Sequence, residues 1–202
     1  GVKQDIQNSI SSLGSNLLMV MPGAPRTPGV RPSAGSMKSL KVSDYEAISK
    51  LDGVKAASPM TNGSYVVIYQ NKNWTTSVSG VSYNYLDVNN WSMKSGRFLS
   101  EKNVQNRERV AVVGKTVVKN LFGDEDPVGA EIRVKNIPFR IIGVLNSKGS
   151  GAMGNDQDDM VIIPYTTAME RVEGVDYLRM IYVTGKDENG IDRLQSDIEN
   201  LL

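Results

Sequence analysis

The sequence predicts a mixed α+β protein, and three observations predict it. Apolar residues recur at helical spacing at both ends, as Val2, Ile6, Ile10 and Leu13 and again as Ile191, Leu194, Ile198 and Leu201. A strand–helix–strand pattern lies beside each of these ends. Between the two patterns runs a longer stretch dominated by strand-like segments, so a β-rich piece is inserted between two strand–helix–strand units.

In chain order, Asn16–Met21 reads as a buried strand. Pro22–Ser39 then collects prolines, glycines and the cations Arg26, Arg31 and Lys38, a loop composition. Ser43 can cap a short helix over Asp44–Leu51, with Glu46 completing a capping box. Val54–Tyr69 reads as one or two strands around an Asn62-Gly63 turn. The middle region is predicted to hold strands at Ser77–Val81, Arg109–Val113, Glu131–Val134 and Phe139–Leu145, with one helix over Lys115–Phe122. A turn, Gly123-Asp124-Glu125-Asp126-Pro127, follows that helix. The last segment repeats the early pattern: strand Met160–Ile163, helix Tyr165–Val172, strand Leu178–Thr184, helix Asn189–Leu202. The expected division is 1–73 and 148–202 as two parts of one subdomain, with 74–147 inserted between them.

Composition removes whole classes of function. The 202 residues carry 23 Lys+Arg against 22 Asp+Glu, a net charge of +1, so no overall field gathers nucleic acid. Cys and His are both absent. Thiolate nucleophiles, histidine-based triads, the usual zinc sites and disulfide scaffolds go with them. No apolar run approaches the ~18 residues of a membrane helix. The chain opens at Gly1-Val2-Lys3 and reads as a piece of something longer.

Three patterns imitate chemistry. Gly149-Ser150-Gly151-Ala152-Met153-Gly154 fits G-x-G-x-x-G, but the acidic run from Asp156 follows where a helix N-terminus would have to receive phosphate. A flexible loop is the better reading. Gly114-Lys115-Thr116 resembles the end of a Walker A loop, yet the leading glycine is replaced by Arg109. An EF-hand begun at Asp156 would need Gly at position 161 and Glu at 167; Val161 and Thr167 stand there, which leaves a solvated acidic loop. No carboxylate pair is fixed by spacing as an acid and base, so no catalytic, cofactor or metal residue is assigned. Trp74 and Trp91, each among polar neighbours, are candidate partner contacts, a position in which Trp is favoured, although half-buried core sites hold it as readily.

Four stretches in succession carry a resemblance: Leu13–Ala24, Ser77–Ser100, Arg109–Gly149 and Asp158–Gly174. They include the Gly96-Arg97-Phe98 turn, the Leu121-Phe122-Gly123 and Pro127-Val128-Gly129 pair, Ile142-Gly143-Val144 and Ile163-Pro164. Together they resemble the extracytoplasmic (periplasmic core) domain of MacB-type ABC-transporter permeases, with a lean towards the Gram-positive separate-permease (YknZ-like) branch. That resemblance implies a porter-like subdomain built from both chain ends and an inserted β-rich "sabre" subdomain. It also implies terminal helices continuing into transmembrane helices, and a domain on the outer side of the cell membrane. The implied partners are a membrane-fusion-type adaptor, a cytoplasmic ABC ATPase and a second permease copy, and the implied work is export of a toxic peptide or drug. An FtsX-like ectodomain that activates a cell-wall hydrolase, or a lipoprotein-release permease, is the alternative. The family brings no catalytic residues. Gly96, Gly123 and Gly129 are expected to serve turns, and Phe98, Leu121 and Phe122 to serve packing.

Overall fold

The computed structural model describes residues 8–12, 16–22, 39–89, 91–148 and 156–202. The strands are β1 (Asn8–Ser12), β2 (Leu17–Pro22), β3 (Val54–Tyr69), β4 (Lys72–Val81), β5 (Met93–Gly96), β6 (Val110–Val113), β7 (Glu131–Val134), β8 (Ile137–Leu145), β9 (Met160–Pro164) and β10 (Met180–Gly185). The helices are α1 (Val42–Ser49), α2 (Tyr85–Asn89), α3 (Glu101–Gln105), α4 (Lys115–Leu121), α5 (Tyr165–Thr167) and α6 (Ile191–Leu201). The chain is thus α+β and rich in sheet. It divides into two compact units, residues 1–60 with 176–202, and residues 61–175.

The first unit orders its strands β1-β2-β10-β3, all neighbours antiparallel. Since β2 and β3 both oppose β10, they run parallel to each other and α1 joins them, a split β-α-β arrangement. Alternation decides the two faces. Leu18, Val20, Ile181 and Val183 are buried, as are Leu40, Ile48, Leu194 and Ile198. The α6 stripe lies close over glycine backbone: a Cβ added at Gly53 or Gly185 would sit 3.3 Å from a Leu194 methyl. The opposite set on the same strands, Met19, Met21, Met60, Met180 and Tyr182, is only half-buried.

The second unit is a closed barrel. Its hydrogen-bonded order runs β3-β4-β9-β6-β8, and β7 pairs both β8 and β3, which completes the ring. Pairing is parallel for β4–β9 and β6–β8 and antiparallel for β6–β9, β7–β8 and β3–β7. Val67, Val78, Ala111, Val113, Ile132, Val134, Phe139, Ile141, Val161 and Ile163 fill the inside, and Val117, Leu121 and Phe122 of the α4 region join the same core. Closure removes sheet edges that would otherwise present unpaired backbone. The β-rich stretch 74–147 lies within this unit, which also takes in β9 and the second half of β3.

Four expectations change. Residues 8–12 of the expected N-terminal helix form β1 instead, paired residue for residue with Leu18–Pro22; a sheet partner overrides a weak helical period. Val54–Tyr69 is one unbroken strand through Asn62-Gly63, because the Asn62 amide donates to Ser77 and Ser79 Oγ on β4 at 2.6 and 2.8 Å. The chain reverses later, at Gln70-Asn71, with Gln70 at φ 54°. Helix α1 starts at Val42, its first turn closed by Lys41 N–H donating to Asp44 Oδ2 at 2.8 Å, in place of a Ser43/Glu46 box. After α5 the helix widens to a π-helix over Ala168–Glu173, ended by Gly174 in the left-handed region. The Pro/Gly loop 23–38, the segment 149–155 and residues 1–7 lie outside the described residues.

Candidate functional site

The acidic run is a clasp within the barrel unit. Asp158, 5% exposed, accepts Ser147 Oγ at 2.7 Å and the Lys148 backbone N–H at 2.6 Å. Asp159 Oδ1 accepts both the Trp74 indole N–H at 2.8 Å and Thr76 Oγ1 at 2.7 Å. Asp156 accepts the Thr116 hydroxyl through one oxygen and the Asp158 N–H, at 2.9 Å, through the other. Three carboxylates thereby tie together the end of β8, the start of β4 and the start of α4. Their oxygens meet neutral donors of the protein, so the expected solvated loop is replaced by a bonded one. Among the described residues no group of His, Cys, Asp or Glu is arranged to hold a metal ion.

Gly114 belongs to this clasp. A Cβ there would lie 2.2 Å from the Asp158 carbonyl oxygen. The same oxygen accepts the Thr116 N–H at 3.2 Å, and the Gly114 N–H reaches the Met160 carbonyl at 3.0 Å. The Gly-Lys-Thr sequence is therefore explained by close backbone approach, with the Gly114 and Thr116 N–H groups and the Thr116 hydroxyl bonded within the chain.

Trp74 and Trp91 stand on different parts of the barrel unit. Trp74 is the third residue of β4 and packs on the core, while Trp91 precedes β5; in strand order β4 and β5 are separated by β9, β6 and β8. The Trp91 indole N–H donates to the Asn146 carbonyl at 2.9 Å. The Lys148 ammonium lies 4.7 Å from its ring centroid, a cation–π contact. Asn146 in turn donates to Ser92 Oγ at 2.7 Å and to the Met93 carbonyl at 3.2 Å. Both indoles thus secure the chain on either side of residues 149–155, one through Asn146 and the other through Asp159. Spacing could not reveal this convergence, since 55 and 85 residues separate the bonded partners.

The glycine motifs are structural. Gly96, Gly123 and Gly129 all hold positive φ, at 69°, 62° and 94°. Phe98 stacks near Tyr85 with centroids 6.5 Å apart, and Phe122 stacks on Tyr69 at 4.0 Å. Tyr69 also donates its hydroxyl to Glu125 at 3.1 Å, which ties the end of β3 to the turn after α4.

Comparison with known proteins agrees with this geometry. The family model described as the MacB-like periplasmic core domain matches residues 1–201. The macrolide export ATP-binding/permease protein MacB of Rhodospirillum rubrum is 43% identical over 100% of this chain and 31% of its own length. The protein of the same name from Chlorobium luteolum is 36% identical over 100% of this chain and 30% of its length. The chain therefore spans about a third of these relatives. The crystal structure of the periplasmic region of MacB from Actinobacillus actinomycetemcomitans superposes with TM-score 0.74 at 26% identity, covering 93% of this chain and 86% of that one. The extracellular domain of the noncanonic ABC-type transporter YknZ from Gram-positive bacteria shares the fold, with TM-score 0.71 at 20% identity, 81% of this chain and 82% of that one.

Proposed function

Because the chain belongs to the family of MacB-like periplasmic core domains, we propose that it is the non-catalytic coupling part of an ABC efflux pump, docking a membrane-fusion-type adaptor outside the membrane. The observation that carries this reading is a family match from end to end, 1–201, onto a fold in which Gly114, Thr116, Asp156, Asp158 and Asp159 make internal bonds. In this reading the split β-α-β unit is the porter-like part and the barrel unit is the sabre. The parent permease works as a dimer with a cytoplasmic ABC ATPase, and the exported compound is a toxic peptide or drug. Trp74 and Trp91 enter the adaptor contact through their ring faces only, since both indole N–H groups are engaged.

Reconstituted vesicles holding the parent permease, its ATPase and the adaptor test the proposal. Replacing this domain with a short flexible linker should abolish adaptor stimulation of ATP hydrolysis and leave basal hydrolysis within about twofold. Undiminished stimulation without the domain would remove the coupling role.

A further inference from the structure

We propose that Met21, Met180 and Met60, a row across three neighbouring strands, form a binding site for a soft monovalent ion, Cu(I), held by their thioether sulfurs. The site lies wholly within the unit of residues 1–60 and 176–202 and does not depend on the adaptor reading. In register Met180 stands opposite Met60, and Ile181 stands opposite Val20. One residue further along the same β2–β10 register, Met21 comes beside Met180. The Arg179 N–H donates to the Met60 carbonyl at 2.8 Å, which fixes β3 against β10 at this rung. Val20 and Ile181 point to the core face and are buried, whereas the three methionines are half-buried on the reverse face. Met19, two residues back along β2, shares that face.

The donor atoms select the ion. An antiparallel sheet covered on one face ordinarily turns polar residues outward, and Met is not among the residues that strands favour. Neither rule calls for three methionines on one rung. The next rung of the same face is Met19, Tyr182 and Ser58, so the sulfur is concentrated at one end of the strands. Adjacent strands lie about 4.8 Å apart, and the unbranched Met side chain turns about three bonds. Sulfurs from the two outer strands can therefore lean inward and meet over Met180. Thioether sulfur is a soft donor that suits Cu(I), while carboxylate and carbonyl oxygens suit hard ions. The chain has no Cys and no His, so no thiolate or imidazole elsewhere competes for such an ion. Half-burial leaves the sulfurs within reach from outside and holds their stems against the sheet.

The test is anaerobic titration of the purified chain with Cu(I) against a chromogenic chelator, each variant first checked for native circular dichroism. The unmodified chain should bind a single ion, and X-ray absorption should show sulfur around it. Leu keeps the volume and apolar character of Met and removes only the sulfur, so the variants are expected to fold. Met180→Leu, at the centre of the row, should weaken binding at least tenfold, and Met21→Leu and Met60→Leu should each weaken it. Met169→Leu, in the barrel unit, should stay within twofold. A loss of less than tenfold in Met180→Leu, or an equal loss in Met169→Leu, overturns the site and leaves the row as apolar surface only. No saturable Cu(I) binding by the unmodified chain overturns it as well. Adaptor binding is measured separately, so failure here leaves the adaptor reading standing.

Discussion

Gly96 and Gly143 face each other across the β5–β8 pair, and neither has room for a side chain. A Cβ on Gly96 would fall 2.2 Å from the Ile142 carbonyl oxygen, and one on Gly143 would fall 2.3 Å from the Arg97 carbonyl oxygen. The Arg97 N–H donates to the Ile142 carbonyl at 3.0 Å, so the two short motifs form one backbone-to-backbone joint. Strand β5 ends there and hands the chain to the Ser100 cap of α3.

Substitution at this joint should be graded by space as well as by φ. Gly96→Ala and Gly143→Ala are each expected to lose roughly 2–4 kcal/mol, because backbone must move. Gly123→Ala is expected to lose about 1 kcal/mol, since its φ is positive but nothing lies within 4 Å of the added Cβ. Urea unfolding of the three variants gives the order. A Gly123 variant as damaged as the other two would contradict the close-approach account.

The clasp predicts a second loss. Asp158→Ala strands the Ser147 hydroxyl and the Lys148 N–H, both bonded to a carboxylate that is 5% exposed. Stability should fall by about 1.5–3 kcal/mol, the scale for hydrogen bonds to a charged group. Asp124→Ala, on an exposed turn, should change it by less than about 0.5 kcal/mol. Equal effects at the two positions would mean that the clasp bonds contribute nothing.

One buried hydroxyl predicts a gain. Thr61 Oγ1 is fully buried with no hydrogen-bond partner, beside Gly80. Thr61→Val keeps the shape and removes the unmet polar atom, so unfolding should need more urea, by up to about 1 kcal/mol. A midpoint lowered by the change would show that the hydroxyl has a partner in solution.

Burial lifts the Tyr182 phenol above its ordinary value. A group raised in the folded state contributes stability below its unfolded value and loses it as pH rises through the folded one. Alkaline unfolding should therefore steepen above about pH 10, and Tyr182→Phe should soften that slope. Ultraviolet titration of tyrosinate should show one late-titrating phenol fewer in the variant. An unchanged titration curve would assign the late phenol elsewhere.

Much of this fold was legible because it is local. The strands at 110–113, 131–134, 160–163 and 180–184 and helix α6 follow from short apolar runs, alternation and an apolar stripe, and each was placed within a few residues. Barrel closure was not legible, since the β3–β7 pairing that seals it joins Val67 to Val134 and is only two residues long. Strand β1 was missed because Asn8–Ser12 offers no alternation of its own and takes its conformation from β2. The acidic run misled for a related reason: Asp156, Asp158 and Asp159 look solvated until Trp74, Thr116 and Ser147 are brought to them. For Trp74 and Trp91, sequence marked the residues and folding supplied their bonding partners.

The central claim is that this domain couples a permease to an adaptor, and titration calorimetry of the purified chain with the purified adaptor ectodomain tests it most directly. The account predicts saturable heat at micromolar concentrations. A folded chain giving no saturable heat up to about 100 μM adaptor, an affinity on the order of 5 kcal/mol or less, would contradict it.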